Sequence, residues 1–581
     1  MLKAEKLSYG FPQKDLYDKI YFTLEEGRHC ALIGSNGSGK TTLAELIYQP
    51  EKFNFDGTLI REDVGRIGYV TQFAVRDKEQ SVTVTDYLMA DFEAVRREID
   101  AVCARMETAE DLEPLMEQYQ RWMDELEAID GDNCEQNIRR QLRLAELEDK
   151  AGLQLALLSG GEYKLVQVIR QMLRRPGLLI MDEPDVFLDF ENLNGLRDLI
   201  NDYRGTLLVV THSRFLLNHC FDQLWHLEGG DLQEFDGSFN AYQFKLLEKK
   251  IQVQEKSEKF AGELRRAEEM VERIRDVASE IVDPSLGRML KGKVAYMERW
   301  QKMQIKQPFV EIRSPEIRLP RTAPVTEDAV LLTVENYGLT FDEKLLEQVS
   351  FQIRAGRKIA IVGPNGTGKT SFLREIRCND NPSIRYGEEA QVGFFSQLQE
   401  EALREDHTIR EEFLEAGMEN QEEVEGYLAR YCFSPDGLGR KIAKLSGGEK
   451  NLLQLAKLAL EEKNLLLLDE PSSHLDTFAQ IALEQAISAY EGAILMVSHD
   501  FYTVANCMDS VLFVENGTVR PMSIRAFRKM IYKYHFDKDY LELETRKKDL
   551  ETRIARCLEA HDTAAAQKLL ADLAPVVEAM R

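Results

Sequence analysis

Short apolar runs recur along this chain, and each leads into a polar turn. The runs at 29–33 and 358–362 precede glycine-rich loops, and those at 178–181 and 465–468 precede Asp-Glu-Pro. Apolar runs of this length, bounded by turn residues, predict buried strands. We therefore predict an α/β fold built on two sets of such strands.

A second pattern, with apolar residues at helical spacing, occupies the middle of the chain. From Phe244 to Ile281 apolar residues recur at three-, four- and seven-residue intervals, and a turn follows at 282–287. This spacing predicts a long helix, a turn and a second helix. At 1.5 Å per residue a helix of ~35 residues spans about 50 Å. We therefore predict a long helical linker at 241–325 that projects beyond the domains it joins.

Leucines at helical spacing also mark residues 525–581, where no glycine occurs. This segment mixes twelve basic with ten acidic residues. The spacing predicts a C-terminal helical extension, either one helix or a helical hairpin. Nothing in the segment separates nucleic-acid contact from simple packing.

Two glycine-rich loops have the form G-x-x-x-x-G-K-[ST]. Glycines let backbone N–H groups approach phosphate oxygens, the lysine reaches the β- and γ-phosphates, and the hydroxyl that follows it binds Mg²⁺. The predicted phosphate-binding residues are Gly34, Ser35, Asn36, Gly37, Ser38, Gly39, Lys40, Thr41 and Thr42 in the first copy, and Gly363, Pro364, Asn365, Gly366, Thr367, Gly368, Lys369, Thr370 and Ser371 in the second.

The same motifs follow each loop in the same order. They are Gln72, Ser159-Gly160-Gly161-Glu162, Asp182-Glu183 and His212 in the first copy, and Gln397, Ser446-Gly447-Gly448-Glu449, Asp469-Glu470 and His499 in the second. From the serines to the histidines the copies are offset by a constant 287 residues, but the glutamines are offset by 325. The first copy therefore carries an insertion after Gln72, which we predict to be a helical arm at about 91–130.

Composition and charge narrow the class of protein. The chain has 581 residues, is 44% hydrophobic and has a net charge of −26, which argues against indiscriminate binding of nucleic acid. Charge is uneven, with −9 over 91–130 and +4 over 241–307. No apolar run approaches the ~18 to 20 residues of a membrane span. Without a C-x-x-C motif among its eight cysteines, and with a first strand that leaves no room for a signal peptide, we expect a cytoplasmic protein.

The duplicated motif set resembles the ATP-binding cassette, or ABC, ATPase superfamily. Two cassettes in one chain, an arm in the first, no membrane span and a long basic linker further resemble the ABC-F family. This resemblance implies an ATPase that uses Mg²⁺ and acts on the ribosome, as a translation factor or as an antibiotic-resistance ribosomal protection protein. Ribosomal RNA would be the partner, with tRNA as a further candidate contact, and the cassettes would pair within a monomer.

The resemblance also implies roles for individual residues. Glu183 and Glu470 would polarise the attacking water, and the paired glutamines and histidines would complete each catalytic set. Mg²⁺ would be held at Thr41, Gln72 and Asp182 in one copy and at Thr370, Gln397 and Asp469 in the other. Tyr9 and Phe341 are candidates to stack on adenine. Each ATP would lie between the P-loop of one copy and the Ser-Gly-Gly-Glu signature of the other.

Two departures from the family pattern lie in the first copy. The family commonly continues Asp-Glu-Pro with Thr-Asn-His, whereas the first copy has Asp185-Val186-Phe187. Ser213 follows the first histidine, where Asp500 follows the second. Because these loops couple the two sites, we expect the sites to differ in activity.

Domain predictions follow from these boundaries: a first ABC ATPase domain at 1–240, the linker at 241–325, a second ATPase domain at 326–524 and the extension at 525–581. Two alternative functions stay open. One is the ATP-binding subunit of a transporter, which would require separate membrane subunits. The other is a DNA-associated ATPase, which would depend on the C-terminal helices.

Overall fold

The structure, a computed structural model, describes residues 1–11, 14–62, 65–72, 81–109, 111–186, 188–255, 314–340, 344–531 and 538–580. The turn and second helix predicted for the linker, together with Phe341 and Phe187, lie outside the described residues. The chain divides into two compact units, residues 1–236 with 314–533, and residues 237–313 with 534–581.

The first unit contains two halves of the same architecture, which we call cassette 1 (residues 1–236) and cassette 2 (residues 314–533). Each has a three-stranded antiparallel sheet and a six-stranded sheet. The strands of cassette 1 are β1 Leu2–Phe11, β2 Lys14–Leu24, β3 His29–Ile33, β4 Asp56–Arg61, β5 Ile67–Val70, β6 Leu178–Asp182, β7 Thr206–Val210, β8 Gln223–Glu228 and β9 Asp231–Asp236. Those of cassette 2 are β10 Val330–Thr340, β11 Lys344–Arg354, β12 Lys358–Val362, β13 Ile384–Tyr386, β14 Val392–Phe395, β15 Leu465–Asp469, β16 Ala493–Val497, β17 Ser510–Glu515 and β18 Thr518–Ser523.

The six-stranded sheets have matching strand orders, β5-β6-β7-β3-β8-β9 and β14-β15-β16-β12-β17-β18. Their first five strands run parallel, and the sixth pairs antiparallel with the fifth. Every residue of β6, β7, β15 and β16 is buried, which explains the continuous apolar runs in the sequence. The carboxyl ends of these strands therefore bring the motifs to one edge of each sheet, as the α/β prediction requires.

Helices pack around both sheets. In cassette 1 they are Lys40–Tyr48, Val84–Met106, Glu113–Ala128, Cys134–Leu144, Gly160–Leu173, Phe190–Asp202 and Arg214–His219. In cassette 2 they are Lys369–Cys378, Ile409–Glu415, Gln421–Leu428, Gly447–Leu458, Thr477–Ala489, Phe501–Cys507 and Ile524–Ile531. Within the described ranges, no helix is both long and apolar enough to cross a membrane. All eight cysteines are free thiols.

The helical arm is present in cassette 1 as the helices Val84–Met106 and Glu113–Ala128, so it begins before the expected residue 91. Thr83 caps the first helix by accepting a hydrogen bond from the backbone N–H of Asp86. Asp91 then accepts hydrogen bonds from both Arg170 and Arg174. Burial alone would raise the pKa of Asp91, but the two guanidinium groups lower it to about 2. The base of the arm is therefore held by charge-assisted bonds to the helix Gly160–Leu173.

The second unit contains the helix 239–255 and the two C-terminal helices, Lys538–Glu559 and Thr563–Ala579. Its core includes Ile251, Leu550, Ile554, Leu573 and Val576. Lys547 is buried and donates hydrogen bonds to Asn240 Oδ1 at 2.7 Å and Gln243 Oε1 at 2.9 Å. The first turns of the linker thus share one core with the C-terminal hairpin.

Candidate active site

Both glycine-rich loops lie between a buried strand and a helix. The last glycines, Gly39 and Gly368, have φ of 101° and 84°, a region that L-residues with side chains rarely adopt. Lys40 and Lys369 begin the following helices and are buried. Each ammonium folds back on its own loop; Lys40 Nζ, for example, donates to the carbonyl oxygens of Gly34 and Ser35 at 3.0 Å. Burial lowers the pKa of both lysines, because it removes water from the ammonium groups. The negative charge of a bound phosphate would stabilise them in the charged form.

A hydroxyl and a carboxylate meet behind each loop. Thr41 Oγ1 donates to Asp182 Oδ1 at 3.3 Å, and Thr370 Oγ1 donates to Asp469 Oδ1 at 3.0 Å. Burial raises the pKa of both aspartates to about 6. Asp469 Oδ2 is buried and has no hydrogen-bond partner among the described residues. Hard oxygen donors with an unsatisfied carboxylate oxygen fit Mg²⁺.

Glu183 and Glu470 follow these aspartates in a strained backbone conformation. Their φ values are 44° and 51°, in the left-handed region that is uncommon for residues with a side chain. The backbone N–H of Glu183 donates to Val210 O at 2.8 Å, and that of Glu470 donates to Val497 O at 2.9 Å. The neighbouring strand thus fixes each glutamate, and such strain is typical of functional positions.

The two glutamate side chains have different partners. Gln72 Nε2 donates to Glu183 Oε2 at 2.6 Å. Glu470 Oε2 instead accepts from the backbone N–H of His499 at 3.2 Å, and Gln397 lines the neighbouring cavity. Burial raises the pKa of both glutamates, with Asp185 adding to the effect at Glu183, and the pKa of Glu470 reaches about 8.

The two histidines line the same cavity as these glutamates, and lowered pKa values keep both neutral at physiological pH. Burial, reinforced by Lys40, holds the pKa of His212 well below its ordinary value, and burial with Lys369 lowers that of His499 to about 3. Within the described residues, neither ring nitrogen of His212 has a hydrogen-bond partner. An imidazole with unused hydrogen-bonding capacity suits contact with an oxygen of a bound group.

The signature residues begin two helices as matched capping boxes. Ser159 accepts from the backbone N–H of Glu162, whose carboxylate accepts from the N–H of Ser159, and Ser446 and Glu449 repeat the arrangement. S-x-x-E is the sequence pattern of such a cap. The positive end of the helix dipole and the backbone N–H groups of the first turn lie at this N-terminus, an arrangement that favours the binding of phosphate.

An aspartate from each cassette binds the P-loop of the other. Asp476 Oδ2 accepts from the backbone N–H of Asn36 at 3.1 Å, and Asp189 Oδ2 accepts from that of Asn365 at 2.9 Å. The second oxygen of each aspartate caps the helix that follows it in its own cassette. The reciprocal bonds link the two cassettes through their P-loops.

Glycines of each signature lie near the P-loop of the other cassette. A cavity of about 530 Å³ is lined by Gly160 and Gly161 of cassette 1 and by Lys369, Thr370 and Glu470 of cassette 2, among others. In the other pairing, a Cβ at Gly448 would lie 2.0 Å from Asn36 Nδ2 and 2.5 Å from the backbone oxygen of His474, which cannot move aside, so this position requires glycine. We call the P-loop of cassette 1 with the signature of cassette 2 site one, and the reverse combination site two.

Tyr9 lies within an aromatic cluster near the P-loop of cassette 1. Its ring centroid is 5.4 Å from that of Phe53 and 6.3 Å from that of Tyr17. Tyr17 Oη donates to the carbonyl of Gly39 at 2.5 Å. The cluster places a partly buried aromatic face beside the phosphate loop, which leaves adenine stacking by Tyr9 a prediction.

Sequence reasoning missed a buried ion cluster between the cassettes. Arg214 donates to Glu484 and, at 3.2 Å, to Asp500 Oδ2, and its guanidinium lies 4.8 Å from the ring centre of Tyr502. Ser213 caps its own helix by accepting a hydrogen bond from the backbone N–H of Leu216. Asp500, which takes the place of Ser213 in cassette 2, is therefore one of the acceptors in this cluster. An arginine directly after Ser213 was the available signal.

Comparison with known proteins agrees with this geometry. The family described as ABC transporter matches residues 17–186 and 346–473, together just over half of the chain. The chain is 28% identical over 535 residues to the putative ATP-binding protein YdiF of Bacillus subtilis, covering 89% of this chain and 80% of that protein.

Two further relatives carry more specific names. The energy-dependent translational throttle protein EttA of Escherichia coli K12 is 28% identical over 506 residues, which cover 84% of this chain and 87% of EttA. ABC transporter F family member 2 of Arabidopsis thaliana is 27% identical, over 89% of this chain and 76% of that protein.

Among solved structures, the archaeal ribosome recycling factor aABCE1, in complex with the stalk protein aP1, has a TM-score of 0.52. It is 18% identical and covers 91% of this chain and 92% of that one, so the likeness concerns the fold. The family match and the paired phosphate sites agree: the chain is an ATP-hydrolysing enzyme with two cassettes that belongs to the ABC transporter family.

Proposed function

We propose that this protein is a cytoplasmic translation factor that binds the ribosome with ATP in both sites and leaves after hydrolysis. The observation that supports this proposal is the similarity to the E. coli translational throttle protein, which runs over 506 residues and 84% of this chain. A similarity of that length exceeds either cassette alone. It therefore favours a shared task for the whole chain over a shared ATPase module.

At each site the chain's own residues bind and orient the nucleotide. The P-loop N–H groups and Lys40 or Lys369 hold the phosphates, and the opposite signature helix adds its N-terminus. Tyr9 offers a face for adenine at site one. Because each site takes residues from both cassettes, bound ATP stabilises the closed pair, and the reciprocal Asp189 and Asp476 contacts align it.

The glutamates Glu183 and Glu470 orient and polarise the attacking water. Each glutamate must be ionised to accept a proton from the attacking water, so the raised pKa values make the rate of hydrolysis depend on pH. His212 and His499, both neutral, contact the γ-phosphate. Thr41 with Asp182, and Thr370 with Asp469, would hold Mg²⁺, with Gln72 and Gln397 as further ligands, and the bound ion would supply positive charge to the phosphates.

Cosedimentation tests the partner. The variant Glu183→Gln with Glu470→Gln keeps the phosphate loops and should remain closed on ATP. We expect it to sediment with ribosomes in ATP but not in ADP, and to inhibit translation in a purified system. Binding should weaken as salt rises, because contacts with RNA phosphates release counterions.

Matched samples distinguish the other functions. The same protein is mixed with membrane vesicles or with duplex DNA in place of ribosomes. Selective sedimentation with vesicles would support a transporter subunit, and retention on DNA would support a DNA-associated ATPase. Repeating the translation assay with ribosome-targeting antibiotics separates a general translation factor from a ribosomal protection protein, since only the latter restores synthesis in the presence of drug.

A further inference from the structure

Lys164 is a buried lysine that none of the ABC motifs contains. It lies on the helix Gly160–Leu173, one turn after Gly161, and is 3% exposed. Its ammonium donates to the backbone carbonyls of Thr71 and, at 3.0 Å, Gln72. Burying an ammonium is costly unless it gains bonds of this kind. Lys164 therefore stabilises the backbone conformation at Thr71 and Gln72.

The bond to Gln72 continues into the catalytic corner of site one. Gln72 Nε2 donates to Glu183 Oε2 at 2.6 Å, so one residue connects Lys164 to the catalytic glutamate. A backbone held by an ammonium fixes where the glutamine side chain begins. A shift of Lys164 would accordingly move Gln72 relative to Glu183.

The same helix serves the opposite nucleotide. Gly160 and Gly161 line a cavity that also contains Lys369 and Thr370 of site two, whereas Lys164 contacts Gln72 of site one. A helix is a stiff element, and Lys164 lies three positions after Gly161. The helix Gly160–Leu173 therefore touches both sites.

Cassette 2 has a different arrangement at the same position. Asn451, which is 287 residues after Lys164, donates to Ser473 O at 2.6 Å and accepts from Gln399 at 2.7 Å. The neutral asparagine contacts the loop after Glu470, and no ammonium occupies this place. Asp185 also has a neutral counterpart in cassette 2, Ser472, which lies 287 residues later.

Charge explains why the lysine and the aspartate occur together. Asp182, Glu183 and Asp185 form an acidic corner, and Asp185 accepts from Thr211 Oγ1 at 2.6 Å. Burial lowers the pKa of Lys164 to about 8, and Asp185 is the carboxylate that most opposes this shift. The cationic lysine thus offsets a carboxylate that cassette 2 lacks.

We propose that Lys164 is a positioning residue for hydrolysis at site one, holding Gln72 against Glu183. The inference rests on the proposed catalytic role of Glu183.

The test is Lys164→Met in three backgrounds: the native chain, Glu470→Gln, where only site one hydrolyses, and Glu183→Gln, where only site two does. Methionine keeps the length of the side chain and removes the donors. In Glu470→Gln we expect kcat to fall at least ten-fold with KM within two-fold. In Glu183→Gln we expect kcat within two-fold, because Lys164 acts through the missing glutamate.

Gln167→Met is the matched control, since it lies one turn further along the same helix. It should leave kcat within two-fold in every background. Equal losses from Lys164→Met in both single-site backgrounds would reveal a general packing defect and overturn the proposal. Unchanged kcat in Glu470→Gln would overturn it as well.

Failure of the proposed catalytic roles gives a different result. If Glu183→Gln does not reduce turnover of the native chain, Glu183 is not the catalytic glutamate and the inference falls with that assignment. If hydrolysis requires both glutamates, neither single-site variant hydrolyses ATP, and the test is then the effect of Lys164→Met on the native chain. Lys164→Met must then lower kcat at least ten-fold with KM within two-fold; a smaller loss, or a matching rise in KM, overturns the proposal.

Discussion

The catalytic corners of the two cassettes carry the same glutamate at the end of the same strand, but different neighbours hold it. In cassette 1 the side chain of Gln72 binds Glu183, and Lys164 fixes the backbone of that glutamine. In cassette 2 the backbone of His499 binds Glu470. A shared backbone fold therefore fixes where the chemistry lies, while a few polar substitutions set how each glutamate is held.

The second contrast concerns how the histidine loops meet. Asp500, beside His499, binds Arg214 of cassette 1, whereas Ser213, beside His212, offers no charge to cassette 2. The ion cluster exists on one side of the pseudo-symmetric pair. The interface between the histidine loops is thus asymmetric, and we expect the two sites to respond unequally.

The largest expected effect tests what the two corners have in common. Replacing both glutamates, Glu183→Gln with Glu470→Gln, should lower ATP turnover by roughly 10²–10⁴-fold, the usual contribution of a positioned base. Affinity for ATP should stay within a few-fold because the P-loops are intact. Phosphate release and equilibrium nucleotide binding measure the two quantities. Turnover at the parent rate would show that these glutamates do not polarise the water.

Arg214→Met tests the asymmetric interface. Removing one partner of a buried ion pair leaves uncompensated carboxylates, which costs about 3–5 kcal/mol. The side chain of Arg214 is 9% exposed, so solvent screens the cluster little. We expect the free energy of unfolding in urea to fall by that order. Arg28→Met, which breaks an exposed pair with Asp222, should cost less than about 1 kcal/mol. Equal effects from both variants would contradict the interface role.

The pH dependence of the single-site variants should separate the two corners. A catalytic carboxylate must be ionised, and kcat/KM reports the pKa of the free enzyme. With the pKa of Glu470 at about 8, kcat/KM of Glu183→Gln should rise about ten-fold per pH unit below 8 and level off above it. Glu470→Gln, which depends on Glu183, should level off at a different pH, because burial and Asp185 raise the pKa of that carboxyl while the hydrogen bond from Gln72 lowers it. Superimposable profiles would remove the distinction.

The smallest expected effect is on the Tm of Glu470→Gln at high pH. Burial raises the pKa of Glu470 in the folded protein, so the folded state binds the proton more tightly than the unfolded state does. Its contribution favours folding at low pH and is lost as pH rises toward 8, where the buried carboxylate must ionise. Glu470→Gln should therefore raise Tm at pH 9 by roughly 2–4 °C per kcal/mol relieved.

The control for this effect is the same pair of proteins at pH 5, where the native glutamate stays protonated and the two Tm values should nearly coincide. Thermal unfolding monitored by circular dichroism suffices. A difference of the same size at both pH values would point to packing rather than ionisation.

Sequence alone determined the fold class, the two-cassette organisation and the presence of an arm and a C-terminal helical tail. Those features depend on local signals, such as glycine-rich loops, apolar strand runs and leucine spacing, which are written into consecutive residues. The arm was located by a difference in motif spacing, although its first helix begins at Val84 rather than near 91. A helix start depends on its cap, here Thr83, which the acidic composition of the arm does not reveal.

Only the tertiary structure decided which distant residues meet. Lys164 reaches Gln72 across 92 residues of chain, and Arg214 reaches Glu484 across 270. The sequence marked Asp185 and Ser213 as departures from the family pattern but could not name their partners, because charge compensation depends on distance in space. Local pattern therefore specifies where each catalytic motif folds, while the packing of helices and cassettes against one another specifies what holds it.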